Sequence, residues 1–298
     1  MTQTIGFIGL GVLGSAIIKN LVAAGFKVIG CDIAEPARQK ALQLGISVVS
    51  MPDELITQTD VVFTCLPHAA ALHEVLHGKH GILSIEIKDQ IIIDLSTLSI
   101  ADKTSFEKAC LSSGRLPVDC PVSGNRIMAL NKKLTAFFSG QEQLFDQCKP
   151  ILDCTCSEAH YVGAFGNGTK VKLCGNILNL VHNTVAAEAM VLAMKSGLDP
   201  SMFHKVISGS GSSSAMFEVR GGLMVDEDYQ RESMNLSVPL KDARIISEHA
   251  ASLHCPIPLY QTALQSYHAA AAQGLMDQDA AVVCKVMERA ANHTRSST

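Results

Sequence analysis

Two lysines, Lys170 and Lys172, lie in GNGTKVKLCGN (residues 166–176), directly ahead of the apolar run ILNLVHNTVAAEAMVLAM. Ammonium groups at the mouth of a buried helix are costly, so residue type and position together point to chemistry. On a helix, Lys172 shares a side with Asn176, Asn179 and Asn183, at offsets of 4, 7 and 11. Lys170 lies two positions, or about 200°, away and is placed to snorkel into solvent. The positive end of the helix and partial burial both disfavour an ammonium. The Lys172 pKa is therefore expected to fall toward neutrality, which suits proton exchange with a hydroxyl group. Buried amides left unpaired cost about 1–3 kcal/mol each. The asparagines therefore need partners, either other protein groups or a bound polar ligand. The plain alternative is a structural lysine with its head in water and a wet stripe beside it.

The segments that would hold this helix in place come first in the chain. TIGFIGL, KVIGCD, DVVFTCL and QIIIDLS are short apolar runs rich in Ile and Val. They alternate with helical patterns at SAIIKNLVAAG, EPARQKALQLG, from near Ala69, and ADKTSFEKACLSSG. That alternation predicts a Rossmann-type α/β domain whose predominantly parallel sheet is covered by helices on both faces. The runs RLPVDCPV, LTAFFSG and EAHYVG are expected to extend the same sheet. Gly9-Leu10-Gly11-Val12-Leu13-Gly14 follows the first strand and opens a helix, and Asp32 ends the second strand 18 residues after Gly14. This is the dinucleotide-binding pattern. Gly9 permits the tight turn, Gly11 lets the backbone approach the pyrophosphate, and Gly14 lets helix and strand pack closely. A carboxylate at position 32 suits the two ribose hydroxyls and repels a 2′-phosphate. NAD is the expected cofactor, with NADP the alternative because Arg38 lies nearby.

After about residue 163 the pattern changes to helices alone, expected near 169–195, 200–208, 236–254, 257–273 and 277–292, with SGSGSSSA (208–215) as a loop. The expected division is a dinucleotide-binding domain at 1–163 and an all-α substrate and dimerisation domain at 164–298. The 298 residues are 47% hydrophobic and 17% charged with a net charge of −4, which suits a folded globular protein and supplies no basic footprint for nucleic acid. The N-terminus MTQTIGFIGLG has no leader pattern, and the 10 cysteines are read as reduced thiols of a cytoplasmic protein. No membrane or metal partner is expected. His73 and His77 stand four apart but have no third ligand at a matching offset.

The chain resembles the β-hydroxyacid dehydrogenases, which include 3-hydroxyisobutyrate dehydrogenases, tartronate semialdehyde reductases and glyoxylate/succinic semialdehyde reductases. The resemblance rests on six stretches in order: GFIGLGVLGSAIIKNL at 6–21, IDLSTLS at 93–99, DCPVSGN at 119–125, LTAFFSG at 134–140, GNGTKVKLCGN at 166–176 and LKDARI at 240–245. It implies an NAD(P)-dependent oxidoreductase interconverting a small β-hydroxy acid and its semialdehyde. Lys172 would be the general acid/base, and Asn176, Ser123, Gly124 and Asn125 would meet the substrate. Cofactor contacts would come from Gly9, Gly11, Val12, Leu13, Gly14, Asp32, Leu66, Pro67 and Thr97. Lys241, with Asp242 beside it, would close over the nicotinamide side, and a homodimer or homotetramer would be the assembly. Three departures stand out. Leu13 replaces the family's usual Met, Asn125-Arg126 replaces a glycine-rich continuation, and Gly175 stands where many members carry asparagine. The rival readings are an imine reductase, which usually has another residue where Lys172 stands, and a dinucleotide-binding module without chemistry.

Overall fold

The β-branched runs of the first half become parallel strands buried on both faces. The structure, a computed structural model, describes residues 3–230 and 235–295. The chain begins β1 (Thr4–Ile8), α1 (Val12–Ala23), β2 (Lys27–Cys31), α2 (Glu35–Leu42), β3 (Ser47–Val49) and α3 (Pro52–Ile56). It continues through β4 (Val61–Thr64), α4 (Ala69–His77), β5 (Ile91–Asp94), α5 (Ile100–Ser112) and β6 (Leu116–Asp119). The six strands form one parallel sheet in the order β3-β2-β1-β4-β5-β6. Successive residues serve opposite faces, as strand geometry requires. Phe7, Val61, Phe63, Ile91 and Ile93 join one core, while Ile8, Val62 and Ile92 join the other. The strand order reverses between β1 and β4, where sheets of this kind bind their ligands.

One expectation needs correction. Of the three later runs, only Leu116–Asp119 extends this sheet. A separate three-stranded sheet is built from β7 (Val122–Ser123), β8 (Leu134–Phe138) and β9 (Cys156–Tyr161), with α6 (Arg126–Leu130) and α7 (Glu142–Leu152) between them. β8 pairs antiparallel with β7 and parallel with β9. The reason lies in the residues. Pro117 lacks a ladder donor and suits an edge strand, and β8 alternates buried with half-buried positions where the central strands are buried throughout. An isolated bridge from Asp119 to Ser139 links the two sheets.

The long helix α8 (Asn167–Lys195) follows, then α9 (Pro200–Ile207), α10 (Ala215–Asp226), α11 (Ser237–Ser252), α12 (Pro258–Ala272) and α13 (Val283–Ala290). The chain forms two compact units, Met1–Lys172 and Leu173–Thr298, which divide inside α8. Sequence patterning missed α3, α6, α7 and α10. In α10 two adjacent glycines interrupt the helical signal, yet Ser214 caps the helix by accepting from the Phe217 N–H. By length and composition α8 could cross a bilayer, but half of its apolar window is buried in protein, as in a core helix.

Candidate active site

The carboxyl ends of the parallel strands carry most of the residues singled out by sequence. After β1, Gly9 adopts φ +101° and donates its N–H to the Cys31 carbonyl at 2.9 Å. A Cβ there would stand 2.3 Å from the Cys65 carbonyl oxygen, so only glycine keeps this turn. Gly11 and Val12 are exposed, and Gly11 begins α1 with no side chain capping it. The N–H groups that open a helix have no partner within it, so the first turn, with Leu13 half-buried and Gly14 buried, offers the donors that an anion cradle requires. At the end of β2, Asp32 is held by two backbone donors, Leu10 N–H at 2.7 Å and Ala34 N–H at 2.8 Å. Arg38 donates to the carbonyls of Asp32 (2.6 Å) and Ile33 (3.1 Å) and pairs with Glu35. Hydrogen bonds from Gln39 and then Arg38 hold the Glu35 carboxyl below its usual range. This cradle fits a dinucleotide.

Farther along the same sheet edge, Leu66 N–H donates to Ser96 Oγ at 2.9 Å, with Pro67 beside it. Thr97 follows β5 and is half-buried. Ser123 pairs with Thr135 across the small sheet, and Gly124 takes φ +131°. Asn125 caps α6, its Oδ1 accepting from Met128 N–H at 3.0 Å, and Arg126 begins that helix. Lys172 sits in the second turn of α8 and is only 7% exposed, whereas Lys170 is exposed and donates to Asn167 Oδ1 at 3.2 Å. The two lysines thus part company as helix phase requires.

Within the second unit the amide stripe finds protein partners. Asn183, wholly buried, donates to Tyr267 Oη at 2.7 Å and to the Ala280 carbonyl at 2.9 Å. It is a core residue. Asn176 and Asn179 are half-buried, and Asn179 donates to Asn176 Oδ1 at 3.2 Å. Asn176 in turn donates to Asp242 Oδ2 at 2.8 Å. Lys241 Nζ lies 3.1 Å from the other Asp242 oxygen, so one buried carboxylate joins Asn176 and Lys241.

Sequence reasoning passed over Asp94, Lys103 and Asp119, which are wholly buried and ion-paired. The available signal was an aspartate closing each of two apolar strands, IIID and LPVD. Among the described residues, no group of three His, Cys, Asp or Glu could hold a metal ion.

Known proteins share this arrangement over nearly the whole chain. Residues 4–163 match the family model described as the NAD binding domain of 6-phosphogluconate dehydrogenase. Residues 166–287 match that described as NAD-binding of NADP-dependent 3-hydroxyisobutyrate dehydrogenase. The L-threonate dehydrogenase of Cupriavidus necator is 30% identical over 96% of this chain and 96% of its own. The mitochondrial 3-hydroxyisobutyrate dehydrogenase of Mus musculus is 32% identical over 92% of this chain and 84% of its own. A crystal structure of 3-hydroxyisobutyrate dehydrogenase from Salmonella typhimurium superposes with a TM-score of 0.85 at 28% identity, covering 95% of this chain and 99% of that one. With a glycine cradle at the head of the sheet and a buried lysine on α8, the chain belongs to the β-hydroxyacid dehydrogenase family of NAD(P)-dependent oxidoreductases.

Proposed function

We propose that the protein is an NAD-preferring dehydrogenase of a small 3-hydroxy acid, with Lys172 as its general acid/base. The observation that carries this reading is the burial of Lys172 on α8, one turn before Asn176. A nicotinamide, when bound, supplies hydride chemistry at the carbon bearing the hydroxyl. The chain's own residues handle the rest. As a neutral amine, Lys172 Nζ takes the proton of the substrate hydroxyl; as an ammonium it returns that proton in the reductive direction. Ser123 and Gly124 hold the carboxylate through hydroxyl and N–H. Asn176, its amide fixed by Asp242, orients the hydroxyl. The Asn125 oxygen is committed to its helix cap, which leaves the amide nitrogen to meet a substrate oxygen.

The cofactor is assigned to residues 1–163, through Gly9, Gly11, Val12, Leu13, Gly14, Asp32, Leu66, Pro67 and Thr97, with Lys241 added from the helical region. Substrate binding and dimerisation are assigned to 164–298. The NAD preference is supported by Asp32 and by Arg38, whose charge is already balanced by Glu35. A homo-oligomer is supported by Val171, Leu178, Val185 and Leu192, exposed apolar residues seven apart on α8 that make a seam suited to a second copy. Ten cysteines, none of them in a disulfide, suit a reducing cytoplasm.

The test is NADH formation with a panel of small hydroxy acids, repeated with NADP and with Lys172→Ala. One acid should turn over, and the alanine variant should lose activity on the order of 10³-fold while still binding NADH. Binding of NADH with no turnover of any acid in either direction would falsify the reading and move the search to imines.

A further inference from the structure

We propose that the buried Lys103–Asp94–Asp119 network is the device that positions Lys172, with Asp119 as the residue that fixes the first turn of α8. This rests on Lys172 being the acid/base. The network lies wholly inside the first unit, and all three side chains are fully buried. Lys103 Nζ, from α5, lies 2.6 Å from Asp94 Oδ2 and 2.8 Å from Asp119 Oδ1. Burial alone would lower the lysine's pKa, but the two carboxylates together hold it above its ordinary value. One cation between two anions leaves a net negative charge, and the surrounding donors account for it. Asp94 Oδ1 accepts from Thr64 Oγ1 (2.7 Å) and Ser96 Oγ (2.6 Å). Asp119 accepts from Thr169 Oγ1 (2.7 Å), Thr169 N–H (2.8 Å) and Ser139 Oγ (3.1 Å).

What these donors carry gives the network its meaning. Asp94 stands three residues before Thr97, and its partner Ser96 also accepts the Leu66 N–H, so two cofactor segments converge there. Asp119 stands four residues before Ser123. Thr169 stands three before Lys172 on α8, and both are buried, so they share a helix face. The N–H groups that open a helix have no partner within it. Thr169 N–H finds its acceptor in Asp119, and Gly168 N–H donates to Ser139 Oγ at 3.0 Å. Gly168 presses so close that a Cβ would stand 2.3 Å from the Phe137 carbonyl oxygen. A negative carboxylate at the positive end of α8 is also favourable electrostatically. The Asp94 end of the cluster therefore serves the cofactor loops, and the Asp119 end sets the substrate loop and the lysine helix. A side chain displaced by 1 Å can cost on the order of 100-fold in rate, so such a device has a large lever on catalysis.

The experiment compares the full-length wild type with Asp119→Asn and the milder Thr169→Val. It measures kcat, KM for the acid, NADH affinity, and amide hydrogen exchange over residues 168–172. Asp119→Asn keeps Lys103 paired with Asp94, and Thr169→Val preserves side-chain shape, so both should fold. The expected result is a fall in kcat of about 100-fold for Asp119→Asn and about tenfold for Thr169→Val. NADH affinity should stay within about twofold, and exchange at the first turn of α8 should quicken. A kcat within about twofold of wild type in Asp119→Asn, or equal losses of kcat and NADH affinity, overturns the proposal. If wild type oxidises no acid, the functional reading fails instead, and exchange alone decides the positioning claim: unchanged rates over 168–172 in Asp119→Asn overturn it.

Discussion

Two carboxylates, one in each unit, show how differently this chain treats buried charge. Asp119 is fully enclosed, and its oxygens accept from Lys103, Thr169 and Ser139. Asp242 meets Asn176 on one oxygen and Lys241 on the other, and the Lys241 side chain keeps 30% of its surface in solvent. A saturated buried network has one geometry, because any shift strands a polar group at a cost of about 1–3 kcal/mol. A cluster open to water can exchange partners cheaply. The first is a foundation, and the second is free to adjust to what binds.

The sharpest way to break this contrast is Lys103→Met, which leaves Asp94 and Asp119 facing each other without a cation. The expected loss is about 3–5 kcal/mol in urea denaturation. A loss below about 1 kcal/mol would mean the network holds nothing in place.

Alkaline pH should sharpen the contrast next, because burial pushes four thiols in the first unit, Cys31, Cys110, Cys148 and Cys156, and Cys284 in the second, up to about 12. Unfolded thiols ionise from about pH 9 while these folded ones stay protonated. The unfolded state then binds fewer protons, so stability falls as pH rises. Each thiol should cost about 1.4 kcal/mol per pH unit above 9. Lys103 adds a loss in the same direction at higher pH, as its raised folded pKa is passed. Denaturation under reducing conditions at pH 7, 9 and 10 reads the slope, and exchange data assign it to the units. Equal losses in both would contradict the thiol account.

Asp242→Asn should be gentler. It retains an acceptor for Asn176 and loses the charge that Lys241 faces, so KM for the acid should rise roughly tenfold with under about 1 kcal/mol of stability lost. A collapse of the fold would show that Asp242 is a second foundation after all.

The smallest effect is expected at the outer end of the cofactor cradle. Glu35→Gln removes the charge that balances Arg38, and the pair is exposed, so the fold should be untouched. Relative use of NADP should rise about threefold to fivefold in kcat/KM. No change would mean that Arg38 has no bearing on the 2′ position.

Much of the fold was legible because the central strand runs are apolar on both faces and end in turns. The pattern around Gly9, Gly14 and Asp32 is local for the same reason, since a turn and the two elements beside it fall within about thirty residues. The small sheet was not legible. Residues 134–138 look like a strand, but nothing in LTAFF says whether its partner is β6 or β9. α10 was hidden by Gly221 and Gly222, and its stability comes from packing and the Ser214 cap, which propensity does not weigh.

The same division runs through the candidate site. The glycine turn, the strand-end aspartate and the separation of Lys170 from Lys172 could be read without the fold, because each follows from backbone geometry and helix phase over a few residues. Packing of α8 against its neighbours settled that Asn183 is a core residue and that Asn176 and Asn179 are half-buried. It also brought the Asp94 and Asp119 carboxylates, from β5 and β6, to the buried Lys103 ammonium on α5. A buried ion needs partners from every side, and partners so far apart in the chain become neighbours only once the sheet and α5 have packed.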